Sequence, residues 1–202
     1  LLNMKFAKYA QKKQVYGYEF LSGIPGTIGG SIKMNAGCYG REMSDILHEV
    51  TIIDRIKGLC NLPSKKLNMT YRNTKLSRDT IIISAKLKYY KNNKRSINKF
   101  NIKEKRIKSQ PINKLTGGST FKNPRGYKAW KLIEDAGCRG LSLGGAKVSE
   151  MHTNFIINYK NATANDIESL GNIVRQKVYE NSGIKLEWEI LKIGFSNKGS
   201  IS

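Results

Sequence analysis

Apolar positions along the chain follow two rhythms. At helical spacing, Phe6, Ala7 and Ala10 recur within residues 4–13. Ala129, Leu132, Ile133 and Ala136 form a stripe within residues 127–136, and Gly137 stands ready to stop that helix. Ile167, Leu170, Val174 and Val178 line one face of a longer helix. Thr163 and Asp166 give it a capping-box start and Gly183 an end. A shorter helix is predicted over residues 103–109, closed by Pro111. The second rhythm is strict alternation. Residues 49–54 (EVTIID) and 80–90 (TIIISAKLKYY) read as strands, with Ala85, Leu87 and Tyr89 alternating with Lys86 and Lys88. Residues 154–158 (NFIIN) read as a short buried strand. In residues 184–190 (IKLEWEI), Leu186, Trp188 and Ile190 face one side and Lys185, Glu187 and Glu189 the other. Residues 21–40 read as loop and turn, and the polar, basic stretch 91–101 as a linker. The pattern is α+β in two units.

Composition narrows the class. Of 202 residues, 39% are apolar and 25% charged, which suits one medium folded domain or two small ones. No apolar run approaches the roughly 18–20 residues that span a bilayer. The lysine-rich residues 1–14 lack the apolar centre of a signal peptide. A cytoplasmic protein without membrane contact is expected. Cys38, Cys60 and Cys138 are odd in number and form no Cys-x-x-Cys pair, so free thiols are expected. With His48 and His152 as the only histidines, no metal site is expected. The net charge of +21 permits nucleic acid, anionic lipid or a multiply phosphorylated substrate. Basic residues thicken between Lys86 and Lys108, where only Tyr89, Tyr90 and Phe100 interleave. That favours a solvated face over a stacking platform.

Four segments carry candidate chemistry, each with a plainer reading beside it. Residues 23–30 (GIPGTIGG) hold four glycines that let backbone approach a phosphate, or form an ordinary turn. They match neither a Walker A loop nor a dinucleotide-binding GxGxxG. Arg72, in Tyr71-Arg72-Asn73-Thr74, is either a fork for a carboxylate or phosphate or a surface arginine. Residues 117–124 (GGSTFKNP) set Ser119 in a tight turn followed by Lys122 and Asn123. This is a phosphate site, a catalytic serine or a turn with an incidental serine; no GxSxG elbow is present. Glu187 and Glu189 share one strand face, as a catalytic carboxylate with its neighbour or as the wet side of the strand.

Taken in order, GIPGTIGG, MNAG-YG, Tyr-Arg-x-Thr, GGSTFKNP, GGAKVSEMHTNFIIN and a terminal LE-x-E motif resemble the UDP-N-acetylenolpyruvoylglucosamine reductase family. The resemblance runs from about residue 7 to 194, and the short interval from Tyr71 to Ser119 is similar to the compact second type of that family. It implies an oxidoreductase of peptidoglycan precursor synthesis that uses FAD and NADPH. The substrate would be UDP-N-acetylglucosamine enolpyruvate and the product UDP-N-acetylmuramate. Carried over by motif, Arg72 and Glu189 flank the enolpyruvyl carboxylate and Ser119 is the proton donor. Tyr71, Lys122 and Asn123 hold the substrate. Pro25, Gly26, Thr27, Ile28, Gly29, Ala36 and Gly37 contact the flavin. Glu189 beside a carboxylate is repulsive if both are ionised, which a retained proton or an orienting role toward Arg72 resolves.

The implied architecture is the remnant of a two-subdomain FAD-binding domain, residues 1–98, followed by an α+β substrate domain, residues 99–202. The resemblance begins after the family's first flavin-binding subdomain, which is expected to be missing from this chain. The isolated chain is therefore expected to bind FAD weakly and to be inactive unless a separate N-terminal fragment completes it. A monomer is expected. Trp188 stands where proline is common in the family, and Thr74 where serine is common. Two other classes are weighed against this reading: a basic nucleic-acid-binding protein, and a catalytically dead interaction module that keeps the fold.

Overall fold

The computed structural model describes residues 1–89 and 99–194. The chain folds as two compact units, Leu1–Arg106 and Ile107–Ser202, each mixing helices with small antiparallel sheets in an α+β arrangement.

The first unit opens on α1 (Asn3–Lys12), which buries Ala7 and Ala10 and sets Phe6 edge-on to Tyr18 at 5.2 Å. Between residues 21 and 40, where the sequence suggests only loop and turn, lie α2 (Ile28–Lys33) and the hairpin β1 (Gly37–Cys38) with β2 (Arg41–Glu42). Helix α2 contains two glycines, each about 1 kcal/mol poorer than alanine in a helix, so propensity conceals it. It is secured from outside. Thr27 Oγ1 accepts from Gly30 N (3.1 Å), and the buried Asn3 amide donates to Ile24 O (3.1 Å) and Ser31 Oγ (2.8 Å).

A short helix α3 (Met43–Ile46) leads into the central strand of a three-stranded antiparallel sheet. That strand is β3 (Leu47–Asp54), flanked by β4 (Gly58–Pro63) and β5 (Ile81–Leu87). Leu47, Val50 and Ile52 of β3 meet Phe20, Leu21, Ile32, Met43 and Ile46 in the core. The strand expected over residues 80–90 stops at Leu87. Lys88 N instead donates to Ile46 O (2.7 Å), past the point where the β3–β5 register slips. Helix α4 (Lys99–Ser109) begins earlier than the expected 103. Most of the expected linker lies outside the described residues.

Among its described residues, the second unit contains a four-stranded antiparallel sheet and, beyond the end of α4, two helices. In chain order these are β6 (Thr116–Ser119), α5 (Ala129–Asp135), β7 (Ser142–Leu143), β8 (Ala146–Val148), β9 (Phe155–Asn158) and α6 (Ala164–Ser182). The sheet order is β6-β9-β8-β7. Leu170, Val174 and Val178 of α6 are buried against Ala129 and Ile133 of α5 and against Val148 and Ile156 of the sheet. The capping box forms as read. Thr163 Oγ1 accepts from Asp166 N (3.1 Å), Asp166 Oδ2 accepts from Thr163 N (2.9 Å), and Gly183 closes the helix at φ 71°. The strand expected over 184–190 shrinks to one bridge, Phe121 to Trp188. Its partner segment is short, and Pro124 soon follows without an N–H to continue the ladder. The alternation survives: Leu186 is buried while Lys185 and Glu187 are exposed.

Candidate functional site

In the first unit, the turn at Tyr71 and Arg72 is held onto the end of α2. Thr70 and Asn73 close it with two backbone bonds, Thr70 N to Asn73 O (3.0 Å) and Asn73 N to Thr70 O (3.1 Å). Arg72 takes φ 54°, the left-handed region, which costs a side-chain-bearing residue on the order of 1 kcal/mol. Three tethers hold it there. The buried Thr74 hydroxyl donates to Lys33 O (2.9 Å), the fully buried Asn35 donates through Nδ2 to Thr70 O (3.0 Å), and Asn35 Oδ1 accepts from Ser44 N (3.0 Å). Arg72 Nη2 then donates to Gly37 O (3.1 Å), with its guanidinium 5.0 Å from the Tyr71 ring centroid. Tyr71, Arg72, Ala36 and Gly37 are thus gathered around one hairpin. Beside it, Cys38 Sγ contacts Phe20 O (3.1 Å). Burial pushes this thiol up to about 11, against the pull of Arg106 and Arg72.

In the second unit, Ser119 ends β6, half-buried, just after Gly118 at φ 91°. The next three residues are clamped from both sides. On one side Thr120 N donates to Asn154 O (2.8 Å), and the buried Asn154 side chain binds both backbone groups of Phe121. It accepts from the N–H (3.0 Å) and donates to the carbonyl (2.8 Å). On the other side Glu189 N donates to Thr120 O (2.9 Å) and Lys122 N to Glu187 O (2.9 Å). Ser119, Lys122 and Glu189 therefore hang on one frame. Lys122 Nζ pairs with Glu187 Oε2 (3.2 Å) across this ladder. Asn123, singled out as a substrate contact, also turns its Oδ1 to the Ala129 N–H (2.9 Å) at the start of α5. A cavity of about 280 Å³ opens beside this frame, lined by Thr116, Gly117, Gly118, Thr120, Ile156 and Ile190. A larger one of about 400 Å³, with Gln110, Lys114, Lys147, Glu150 and Tyr159 among its lining, is lined by none of the candidate catalytic, substrate or flavin residues.

The comparisons bear on both units. Residues 110–193 match the family description "UDP-N-acetylenolpyruvoylglucosamine reductase, C-terminal domain", and residues 4–59 match "FAD binding domain". A crystal structure of UDP-N-acetylenolpyruvylglucosamine reductase from Thermus caldophilus superposes with a TM-score of 0.77 at 31% identity, over 93% of this chain and 68% of that one. The chain belongs to the UDP-N-acetylenolpyruvoylglucosamine reductase family. Family members from Rickettsia typhi and Rickettsia prowazekii are 48% and 47% identical to it, each over 96% of this chain. The chain spans 66% of the length of each of these relatives.

The family's flavin can be weighed against the residues present. Pro25, Gly26 and Thr27 are exposed, and Gly26, at φ 102°, has open space where a side chain would stand. At Gly37 a side chain would instead come within 2.7 Å of Glu42 Cβ. The exposed backbone at 25–27 leaves room for a cofactor to approach, whereas Gly37 is required by the close pairing of its own hairpin with Arg41 and Glu42.

Four residues that help build this site carry no sequence signal for the tethering role they play. Asn35 and Asn154 lie inside motifs, MNAG and NFIIN, that read as turn and strand. Their amides turn out to stand in for missing backbone partners. Thr74 reads from the sequence as a polar neighbour of Arg72 in place of serine, and Trp188 as an apolar strand position in place of proline.

Proposed function

We propose that this chain serves the NADPH- and FAD-dependent reduction of UDP-N-acetylglucosamine enolpyruvate to UDP-N-acetylmuramate, in the cytoplasm, for peptidoglycan precursor synthesis. Residues 1–98 are assigned to the flavin and 99–202 to the UDP substrate. Bound FAD would carry hydride from NADPH to the enolpyruvyl β-carbon. The chain's own residues handle charge and protons. Arg72 offers a fixed guanidinium to the enolpyruvyl carboxylate, where negative charge grows in the transition state. Ser119 Oγ delivers a proton to the α-carbon, whose enolate-like character makes it a strong base. Glu189 acts at the enolpyruvyl end of the substrate beside Ser119. Tyr71, Lys122 and Asn123 hold the remainder, and Pro25–Gly29 with Ala36 and Gly37 face the flavin.

The observation that supports this reading is the backbone bond from Glu189 N to Thr120 O (2.9 Å), which holds the main chain of Glu189 opposite the residue after the serine. Transient kinetics on the FAD-supplied protein test it. Ser119→Ala should leave flavin reduction by NADPH unchanged and slow flavin reoxidation by the enolpyruvyl substrate about 10²-fold, the low end of general-acid effects. Equal reoxidation rates would remove Ser119 as proton donor. A nucleic-acid-binding reading finds no support in the relatives' names, which are those of the reductase.

A further inference from the structure

Gly171 sits inside α6, where glycine costs about 1 kcal/mol relative to alanine. Its neighbour explains the choice. A methyl group at Gly171 would overlap Trp188 Cη2 and come within 2.9 Å of Cζ2 and Cζ3. The indole lies in a notch that only glycine leaves open. Phe121 packs against it at 4.9 Å, and the Lys192 ammonium stands 5.1 Å from its ring centroid while bonded to Glu168 (2.6 Å). Trp188 Nε1 is buried and makes no hydrogen bond among the described residues, so the ring is held for its shape and volume.

The segment it anchors has no strand ladder of its own beyond one bridge. Two flanking backbone bonds, the bond from Arg175 Nε to Leu186 O (2.9 Å), the pairs Lys122–Glu187 and Lys192–Glu168 and the buried Leu186 join it to the unit. Phe121 and Trp188 lie opposite each other as a non-hydrogen-bonded pair, the arrangement in which facing side chains come closest. The indole's depth in the notch, together with the bond from Glu189 N to Thr120 O, therefore bears on where the next residue, Glu189, stands relative to Thr120 and Ser119.

We propose that Trp188, seated in the notch at Gly171, is a positioning residue that aligns Glu189 with Ser119 for the enolpyruvyl group. It rests on the assignment of Glu189 to the enolpyruvyl end of the substrate. A displaced indole should then weaken recognition of the enolpyruvyl group and leave the nucleotide and sugar contacts alone.

Calorimetric titration of the full chain with UDP-N-acetylglucosamine enolpyruvate and with UDP-N-acetylglucosamine separates these effects. Gly171→Ala should weaken the enolpyruvyl ligand about tenfold, the scale of one misplaced hydrogen bond to a charged group. Its affinity for UDP-N-acetylglucosamine should stay within about twofold of wild type, on the same scale. Gly171→Ala combined with Trp188→Leu, which restores room, should recover most of the loss. If Gly171→Ala does not fold, as judged by circular dichroism, Trp188→Phe carries the same comparison, since it empties the notch without overlap. Unchanged affinity for both ligands, or an equal loss for both, overturns the positioning role while leaving the proposed function standing. A wild-type chain that binds the two ligands equally, or neither, overturns the assignment of Glu189 and the positioning role with it.

Discussion

A histidine that accepts a backbone hydrogen bond cannot hold a proton on the accepting nitrogen. His152 Nδ1 accepts from Asn154 N (3.3 Å), and the ring lies 4.8 Å from Phe155 and 6.5 Å from Trp130. Burial holds its pKa below the ordinary value, outweighing a hydrogen bond to the residue's own backbone that favours the charged form, and the Arg139 charge adds to the lowering. The folded state thus prefers neutral His152 more than the unfolded chain does. Its stabilising contribution is present above the unfolded pKa of roughly 6.5 and is lost as pH falls toward the lower folded value. The melting temperature should fall more steeply between about pH 7 and pH 5 in the wild type than in His152→Gln; parallel curves would show that this ring contributes nothing to acid sensitivity. Such roles were poorly legible in the sequence. Thr163 and Asp166 declared a cap because both partners are local. His152, Asn35, Asn154 and Thr74 bond to backbone that includes distant segments or an irregular loop, and no spacing rule announces that.

At the scale of elements, the side chain of Asn154 does for the segment after β6 what a further strand would have done. Asn154→Ala leaves the buried N–H and carbonyl of Phe121 without these partners. That should cost on the order of 2–4 kcal/mol. Thr163→Ala, which removes an exposed cap from α6, should cost about 1 kcal/mol. Urea unfolding of the two variants gives the comparison, and a smaller loss for Asn154→Ala than for Thr163→Ala would mean that water replaces the amide. The long amphipathic helix α6 and the buried strand β9 were readable because periodicity and caps agree there. Helix α2 was not, because glycine content argues against a helix that Asn3 and Thr27 hold in place. The pattern at 184–190 gave the correct faces but overstated the ladder, since alternation reports burial and not the length of the partner strand.

For the whole molecule, the order of motifs identified the family, while the net charge of +21 had no equally specific reading. Such a surplus raises the potential felt by any polyanion. Raising ionic strength from about 0.01 to 0.15 M shortens the screening length from roughly 30 to 8 Å. Affinity for UDP-N-acetylglucosamine, whose diphosphate is anionic, should fall over that range, as fluorescence or calorimetric titration would record. A salt-independent affinity would assign the excess charge no part in ligand capture. The candidate residues were legible one by one because their motifs are short and local. Their tethers to α2, β9 and α6 were not, because these come from segments far along the chain.

The interlock of Trp188 with Gly171 also bears on how such chains can change over time. A larger side chain at position 171 is compatible with this backbone only if position 188 becomes smaller. An indole at 188 is in turn admissible only opposite glycine. The two positions form one inherited character in two parts, and a drift between homologues should pass through the small-small pair, because the large-large pair has no room.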